Sequence, residues 1–308
     1  MMSISKILVF GNGFVASLLR ESQTGYDLKV SSVDVRDESA LRVAFQEHAP
    51  DAVINTAAKT NIDWCENNKQ HTFEVNTLGA DRVAKLCAEH SVYLVQLSSG
   101  CLQESRGPED VKSEDDPINP LCFYAWTKAW AEQLIQDRVS REGLRALIIR
   151  PRLLVSARLS NRNSLLKLLT YSRFVDISQS ATIAEDMIEV IEALIARRAT
   201  GVYNVANPGL ISPWDIAQML RETLDPDFEP AKIQLEELNA FTQVRRIRSV
   251  LSVDRLRQSE IVLRDIRVGV NSILGELRDK SSSQEWDSVL ALTHRETKAK
   301  LLPVASSA

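Results

Sequence analysis

The chain has 308 residues, of which 44% are hydrophobic and 25% are charged, a composition typical of globular proteins and not of disordered ones. Its formal net charge of −4 argues against nucleic acid or an anionic membrane surface as a partner. No apolar stretch is as long as a membrane span, the N-terminus has no hydrophobic signal core, and the four cysteines form no CxxC pair. We therefore expect a cytoplasmic protein without a metal site.

Apolar strand-like runs alternate with helix-length amphipathic segments over the first half of the chain. In chain order, the strand-like runs are KILVF, DLKVS, DAVINTAA, VYLVQLSS and LRALIIRP. The segments between them, such as ESALRVAFQEHA and YAWTKAWAEQLIQDRVS, have apolar residues at helical spacing. Near-continuous apolar strands separated by helices predict an α/β fold with a doubly wound parallel sheet that is covered on both faces.

The second half of the chain has a different character and predicts a smaller C-terminal lobe. We assign residues 1–155 to the sheet domain, to which part of 181–206 returns, and residues 156–280 to the smaller lobe. A tail over 281–308 contains EWDSVLALTHRETKAKLL, which predicts a loose helix that the fold does not need.

A glycine-rich turn follows the first strand in FGNGFVASLL, where Gly11, Gly13 and Ala16 have the spacing GxGxxA. Glycines are needed where the backbone turns tightly and approaches a pyrophosphate, and the next helix offers its N-terminal N–H groups to the anion. The position between a strand and a helix favours a dinucleotide site over a mere tight turn. The predicted cofactor-binding residues of this turn are Gly11, Asn12, Gly13, Phe14 and Val15.

The choice between NAD(H) and NADP(H) rests on the end of the second strand. Asp34 lies near the distance at which an acidic residue binds a ribose 2′-hydroxyl and favours NAD(H), but it falls beyond the strand. That strand ends in Ser31 and Ser32, which do not exclude a 2′-phosphate. We expect NADP(H), with NAD(H) as the alternative, and we include Asp34 in the cofactor site.

A tyrosine and a lysine lie four residues apart in FYAWTKAWAEQLI, so Tyr124 and Lys128 share one face of a helix. Because an ammonium group beside a phenol stabilises the phenolate, we expect Lys128 to lower the pKa of Tyr124. The phenol can then donate a proton to a developing alkoxide while a nicotinamide delivers hydride. The position of the pair after a phosphate loop favours this function over a solvated helix face.

With these motifs, the chain resembles the extended short-chain dehydrogenase/reductase family over roughly residues 5–280. The resemblance implies a Rossmann-type sheet and a catalytic triad completed by Ser99, with Ser98 as the neighbouring alternative. The segments LIIRPRLLVS, GVYNVANPGLISPWDIA and RIRSVLSVDRL are similar to elements of the nucleotide-sugar branch, especially dTDP-4-dehydrorhamnose reductase. In DAVINTAAKT, the cofactor-lining residues that the resemblance implies are Asn55, Ala57 and Ala58.

Three further strings, TNIDWCENNK, SSGCLQES and FYAWTKAWAEQL, resemble the plant-type bifunctional 3,5-epimerase/4-reductases that make nucleotide-linked L-rhamnose. The resemblance implies NADPH-dependent 3,5-epimerisation and 4-keto reduction of a nucleotide 4-keto-6-deoxyhexose. It also implies Cys101 and Lys167 as the epimerisation acid/base pair. The chemistry is consistent, because the C3 and C5 protons of a 4-keto sugar are acidic and a thiol suits proton transfer near neutral pH. The alternatives are a 4-reductase without epimerase activity and a non-catalytic regulatory subunit that keeps the dinucleotide site.

The cysteines and Lys167 also have structural interpretations. Cys101 is open to a packing role, since free cysteine behaves as a small hydrophobe. Lys167 lies between leucines and is open to being an exposed lysine. We assign Cys65, Cys87 and Cys122 to the core.

Four more residues are candidates for substrate binding. Asn61, Asp63 and Trp64 either shape the sugar pocket or cap a turn. Arg248 either clamps the diphosphate, since a guanidinium binds phosphate oxygens in a bidentate manner, or forms a surface ion pair.

The family resemblance extends to assembly. Relatives commonly form homodimers through two helices of each subunit, which in this chain correspond to about 72–90 and 122–140. Trp126 and Trp130 are the candidates for such an interface. The expected partners are therefore a nucleotide-sugar substrate and a second copy of the chain.

Overall fold

Six strands form one parallel sheet in this computed structural model, which describes residues 4–22 and 25–301, and their side chains except at 241 and 293–301. The strands are β1 (Lys6–Phe10), β2 (Asp27–Ser31), β3 (Ala52–Asn55), β4 (Tyr93–Leu97), β5 (Ala146–Pro151) and β9 (Gly201–Val205). They lie in the order β2-β1-β3-β4-β5-β9, and every pairing is parallel. The predicted doubly wound parallel sheet is confirmed.

Helices cover both faces of the sheet. They are α1 (Phe14–Glu21), α2 (Glu38–His48), α3 (Ile62–Asn67), α4 (Lys69–Phe73), α5 (Ala80–Glu89), α6 (Phe123–Glu142) and α8 (Ala184–Ala196). Because side chains alternate along a strand, Ile7 and Val9 of β1 pack toward α1 and α8, whereas Leu8 and Phe10 pack toward α2 and α5. Each face of the sheet thus has its own apolar core.

The helix predicted from HTFEVNTLGADRVAKLCAEH contains a π-helical turn at Glu74–Gly79, between α4 and α5. The side chain of Asn76 in this turn accepts a hydrogen bond from the backbone N–H of Lys59 at 2.7 Å and donates one to its carbonyl O at 2.9 Å. Thr77 Oγ1 donates to the carbonyl O of Thr127 at 2.9 Å. The π-helical turn therefore ties the loop after β3 and helix α6 to one helix, as π-bulges near functional sites often do.

The smaller lobe packs around a third apolar cluster, which includes Val155, Ile216 and Leu274. Two pairs of short parallel strands belong to this lobe. In the first pair, β6 (Leu154–Val155) lies beside β8 (Thr182–Ile183). In the second pair, β7 (Arg173–Val175) lies beside β10 (Ala231–Ile233). The remaining helices are α7 (Ser164–Leu168), α9 (Pro213–Thr223), α10 (Leu235–Phe241), α11 (Asp254–Gln258), α12 (Ile266–Lys280) and α13 (Gln284–Leu301).

The predicted dispensable tail contributes to this third cluster. Trp286 of α13 is only 9% exposed, and Val289 and Leu290 pack beside it. Burying an aromatic side chain contributes on the order of 2 kcal/mol. The beginning of α13 is therefore part of the lobe rather than a loose extension of it.

A buried ion pair joins α6 to β5 beneath the end of β4. Arg150 Nη2 lies 2.6 Å from Glu132 Oε2, and both side chains are 4% exposed. The hydroxyl of Ser98 donates to the same carboxylate. Among the described residues, no helix is both long enough and apolar enough to cross a membrane.

We expect Glu132→Gln to lower the free energy of unfolding by about 3–5 kcal/mol, because it leaves the guanidinium of Arg150 buried without its counter-charge. Chemical denaturation followed by circular dichroism would measure this loss. The matched control is Glu142→Gln, since Glu142 pairs with Arg138 at a partly exposed position. The control should change stability by less than about 1 kcal/mol. Equal effects of the two substitutions would contradict the prediction.

Candidate active site

The glycine-rich turn lies where the order of the sheet reverses, between β1 and β3. Gly11 has φ +109°, and a Cβ added there would lie 2.6 Å from Thr56 Oγ1 and 2.8 Å from the backbone N of Ala57. Gly13 begins α1 without a side-chain cap, and nothing lies within 4 Å of a Cβ built on it. The turn therefore needs glycine at Gly11 and has open space at Gly13, an arrangement that fits a dinucleotide pyrophosphate.

Two arginines flank this turn, and sequence analysis missed both. Arg162, from the smaller lobe, donates to the carbonyl O of Asn12 at 2.8 Å. Arg20 of α1 lies 3.4 Å from Asn12 Oδ1. Their charges add to the attraction that the helix N-terminus has for an anion.

Asp34 follows β2, as expected, but its carboxylate already has a cationic partner. The Arg36 guanidinium donates to Asp34 Oδ2 at 2.6 and 3.0 Å and to Oδ1 at 3.1 Å. These hydrogen bonds lower the pKa of Asp34 to about 2. The role of Asp34 toward a ribose stays a prediction.

The loop after β3 is held by Asn55. Its Nδ2 donates to Gln96 Oε1 at 2.9 Å, and its Oδ1 accepts from the backbone N of Ala57 at 3.2 Å. Asn55 thus shapes the loop, while Ala57 and Ala58 are half-buried beside the glycine-rich turn. Their contact with a cofactor stays a prediction.

The end of β4 and the first turns of α6 bring Ser99, Tyr124 and Lys128 together. Ser99 caps a short 3₁₀ turn at Gly100–Leu102, and its hydroxyl is hydrogen-bonded to the Tyr124 phenol. Lys128 Nζ donates to the carbonyl O of Leu97 at 2.9 Å. The structure therefore assembles the three residues that the spacing and the resemblance indicated.

The pKa of Tyr124 differs from the expectation. Burial raises the pKa of this phenol well above its usual value, and the Ser99 hydrogen bond opposes the shift only in part. Burial also lowers the pKa of Lys128 to about 8. The predicted lowering of the Tyr124 pKa is not found in this structure, because desolvation of the phenol is the largest influence on it. The phenol keeps its proton at neutral pH and can donate it.

Cys101 lies beside the same phenol. Ser99 Oγ is 3.0 Å from Cys101 Sγ, and the thiol shares an apolar cluster with Cys65 and Tyr124. Burial raises the pKa of Cys101, whereas Arg152, Ser99 and Lys128 act to lower it.

The other cysteines have structural positions. Cys65 and Cys87 are fully buried, as expected for core residues. Cys122 is half-buried, and its sulfur caps α6 by accepting from the backbone N of Ala125 at 3.5 Å. Cys122 packs against the apolar cluster of Cys101 and Tyr124, so it lies at the edge of the core, and it is also the N-cap of the helix that carries Tyr124.

The predicted sugar-pocket residues lie on α3 and at its start. Asn61 caps the helix by accepting from the backbone N of Trp64 at 3.0 Å. Trp64 is 37% exposed and packs edge-on against His71. Asp63 instead reaches across to the smaller lobe, where Arg246 Nη2 lies 2.8 Å from its carboxylate. Substrate contact by these residues stays a prediction.

Lys167 lies on α7 of the smaller lobe. Asn163 caps this helix by accepting from the backbone N of Leu165 at 3.1 Å. Lys167 is half-buried between Leu166 and Leu168 and is therefore not a fully exposed lysine. Its approach to Cys101 stays a prediction.

A cavity of about 330 Å³ lies beside the loop after β4, and its charged lining residues are three arginines and three carboxylates: Arg106, Arg245, Arg248, Glu104, Asp176 and Glu236. Arg248 Nη1 donates to the carbonyl O of Arg106 at 3.2 Å, and its Nε is buried without a partner. Arg245 also lines the cavity, where it pairs with Glu104. Clustered guanidinium groups suit the phosphate oxygens of a nucleotide. Sequence analysis identified only Arg248.

Comparison with known proteins identifies the family to which this chain belongs. The sequence profile described as RmlD substrate binding domain matches residues 5–279. A trifunctional UDP-glucose 4,6-dehydratase/UDP-4-keto-6-deoxy-D-glucose 3,5-epimerase/UDP-4-keto-L-rhamnose-reductase from Arabidopsis thaliana is 29% identical over 82% of this chain and 39% of its own. A bifunctional dTDP-4-dehydrorhamnose 3,5-epimerase/reductase from the same plant is 29% identical over 81% of this chain and 86% of its own. This chain thus spans well under half of the trifunctional relative and most of the bifunctional one.

Solved structures have the same fold. The L780 UDP-rhamnose synthase of Acanthamoeba polyphaga mimivirus superposes with a TM-score of 0.80 at 25% identity, over 89% of this chain and all of its own. A dTDP-4-dehydrorhamnose reductase from Bacillus anthracis, solved in complex with NADP, has a TM-score of 0.79 at 21% identity over 91% of this chain and 100% of its own. These similarities confirm the Rossmann-type architecture.

We expect Gly11→Ala to weaken NADPH binding by roughly 5- to 100-fold, because a side chain at this φ costs about 1–3 kcal/mol. The added Cβ also meets the loop after β3. Titration of the tryptophan fluorescence with NADPH would measure the affinity. The control is Gly107→Ala, at a position where a Cβ meets nothing within 4 Å. Unchanged affinity in the Gly11 variant would contradict the assignment of this turn.

Proposed function

The chain belongs to the RmlD substrate binding domain family, and on that premise we propose that it is an NADPH-dependent enzyme of nucleotide-rhamnose synthesis. Its substrate would be a nucleotide 4-keto-6-deoxyhexose. The observation that carries the proposal is that Ser99, Cys101 and Tyr124 lie next to one another at the end of β4. Lys128 is hydrogen-bonded to the last carbonyl of the same strand. The names of the similar plant and viral proteins support this reaction class.

NADPH, when bound, supplies the hydride that reduces the sugar carbonyl. The residues that would hold it are the turn from Gly11 to Val15 and the arginines beside it, Arg20 and Arg162. The open side of Gly13 leaves room for the pyrophosphate. The NADP of the similar Bacillus anthracis structure supports the choice of this cofactor.

In the reduction, Tyr124 donates the proton. Its raised pKa keeps the phenol protonated until an alkoxide develops at C4 of the sugar. Ser99 holds the carbonyl oxygen through its hydroxyl. The ammonium of Lys128 then stabilises the phenolate that remains, because opposite charges attract strongly at buried positions.

In the epimerisation, we assign Cys101 and Lys167 to opposite faces of the sugar ring. One group removes a proton from C3 or C5, and the other returns a proton to the opposite face. The negative charge of the enolate falls on the C4 oxygen, beside Ser99 and Tyr124, and both hydroxyls can donate to it. The epimerase names of the Arabidopsis relatives support this second activity.

The arginine-lined cavity would bind the nucleotide part of the substrate. Ser249 Oγ donates to the carbonyl O of Gly100 at 2.7 Å, so the segment that carries Arg248 touches the loop after β4 that carries Cys101. A sugar at Cys101 and a diphosphate at Arg248 are therefore compatible with one bound molecule. The guanidinium groups favour the diphosphate over a neutral ligand.

A second candidate function is 4-keto reduction alone. The apolar surroundings and raised pKa of Cys101 favour it, since a buried thiol can be inert. The bifunctional and reductase-only functions share Tyr124, Ser99 and Lys128, and they differ only in the use of Cys101 and Lys167.

Deuterium incorporation separates these functions. Wild-type protein with NADPH and UDP- or dTDP-4-keto-6-deoxyglucose in D₂O should give rhamnose labelled at C3 and C5, read by NMR. Cys101→Ser should lose the label, and Tyr124→Phe should lose about 10²–10⁴-fold in the rate of reduction, the usual contribution of a positioned acid.

The control for the cysteine is Cys65→Ser, which changes another buried thiol of the same cluster. It should keep labelling and reduction. NADPH oxidation without label in the wild type would leave a plain reductase. If neither sugar reacts while NADPH binds, the proposed reaction is wrong and the regulatory-subunit interpretation gains support.

We also propose a homodimer formed through α6. Trp126 and Trp130 are 43% and 38% exposed, and their rings contact each other at 5.7 Å between centroids. Phe73 and Phe123 pack edge-on against Trp130 and extend the aromatic surface. Clustered exposed aromatic side chains are typical of protein interfaces.

We expect wild-type protein to sediment as a dimer and Trp126→Glu with Trp130→Glu to sediment as a monomer, because buried carboxylates would oppose the interface. The control is Val111→Glu, at a 49% exposed apolar position outside α6. A monomeric wild type, or a dimer that survives the double substitution, would contradict the proposal.

A further inference from the structure

Arg152, which is half-buried in the same region as Cys101, has no acidic partner among the described residues. Arg152 follows β5 directly, and its backbone N–H donates to Thr182 Oγ1 at 2.9 Å. Its Nη2 donates to Gln179 Oε1 at 2.6 Å and to the carbonyl O of Ile247 at 3.0 Å, and both acceptors are neutral. Its Nε is shut off from solvent and has no hydrogen-bond partner.

The loop that carries Cys101 packs directly on this arginine. A Cβ added at Gly100 would lie 3.3 Å from the carbonyl O of Pro151 and 3.4 Å from the Cβ of Arg152. Ile247, whose carbonyl O accepts from Arg152 Nη2, packs against the apolar cluster of Cys101 and Tyr124, so the guanidinium and the thiol are neighbours and each acts on the pKa of the other. Tyr124 and Cys122 are the other ionisable groups in range, and among the described residues no carboxylate acts on Arg152.

Holding the Arg152 guanidinium away from water without an acidic partner costs free energy. Arginine stays charged at every pH that a protein tolerates, so it cannot avoid burial of its charge by losing a proton. Hydrogen bonds to neutral acceptors offset only part of that cost. The charge is matched when a negative charge forms nearby, and the thiol and the phenol are the protein groups that can form one.

We propose that Arg152 is a positioning residue for epimerisation, because its guanidinium stabilises the thiolate that Cys101 becomes when it gives its proton to the sugar. This inference rests on the epimerase half of the proposed function. In the step, the S–H bond breaks, a C–H bond forms at C3 or C5, and the S–H electron pair stays on sulfur. The proton that the base removed from the other face returns to the sulfur through solvent.

Other groups also face the Cys101 thiol. They are Ser99 in its own loop, Lys128 and Tyr124 on α6, Cys122 at the N-cap of α6, and Arg152 after β5. Burial lowers the pKa of Lys128 to about 8, so its ammonium loses its charge as pH rises through that value. Arg152 keeps its charge over the whole range and is therefore the permanent cation at the thiol.

Alkylation of the free protein tests this role without any substrate. The rate of Cys101 modification by iodoacetamide, read by peptide mass spectrometry from pH 6 to 10, reports the pKa of this thiol, because only the thiolate reacts. Arg152→Gln should shift the profile to higher pH and slow alkylation at neutral pH about tenfold, which corresponds to one pKa unit. Arg152→Lys keeps a cation and should restore most of the wild-type profile.

The matched control is Arg248→Gln, which removes a guanidinium from the neighbouring cavity and is not among the groups that act on Cys101. Its profile should equal that of the wild type. An unchanged profile in Arg152→Gln would overturn the inference, whatever the substrate proves to be. A shifted profile without deuterium at C3 and C5 of any product would keep the electrostatic role of Arg152 and would reject the epimerase half of the proposed function.

Discussion

A buried ammonium group at the end of β4 sets the geometry of the candidate active site. Lys128 is 3% exposed, and its Nζ donates to the carbonyl O of Leu97. A charge in this position is costly unless it is hydrogen-bonded, and the last carbonyl of β4 accepts from this ammonium as well as from Gln96 Nε2. The contact fixes α6 over the end of the sheet, so that Tyr124, one turn earlier, lies above Ser99. Cys101 lies beside the same phenol, with its Sγ 3.0 Å from Ser99 Oγ.

Much of this arrangement could be predicted from local sequence. The glycine-rich turn, the Tyr124–Lys128 spacing and the position of Ser99 after an apolar strand are short-range patterns, and regular strands and helices place such patterns reliably. The alternation of apolar segments likewise predicted the parallel sheet. These features depend on residues that lie within a few positions of one another.

The remaining features depend on partners that are distant in the chain. The Asp63–Arg246 ion pair joins α3 to the smaller lobe, and Arg152 reaches Ile247 in the same segment. The local sequence around one partner of such a pair does not indicate which residue the other partner is. The Tyr124 pKa was also missed for this reason, since the degree of burial depends on the whole cluster. The π-helical turn left no sign in the apolar pattern, because Val75 within it and Val83 after it are both buried.

Polar contacts close the cleft between the two lobes at opposite ends. At one end, Arg162 reaches the glycine-rich turn; at the other, Gln243 and Asn67 exchange hydrogen bonds at 2.7 and 2.8 Å. Water can replace hydrogen bonds of this kind with little net cost, whereas separating apolar surfaces costs free energy in proportion to their area. Apolar contacts also join the lobes, because Leu256 packs in the core of the sheet domain and Ile247 packs against the cluster of Cys101, so the polar ends of the cleft can open at less cost than its middle.

The π-helical turn at Glu74–Gly79 has a consequence for how the chain can change in length. Removing one residue there would restore a regular helix. A π-helical turn takes up one extra residue over its own length, so the deletion would leave the helices on either side nearly in place and would redirect the side chains within the turn. Asp81 could still pair with Arg138 of α6 at 2.7 Å, but Asn76 could no longer hold Lys59. The extra residue of this helix therefore serves the loop after β3 rather than the helix itself.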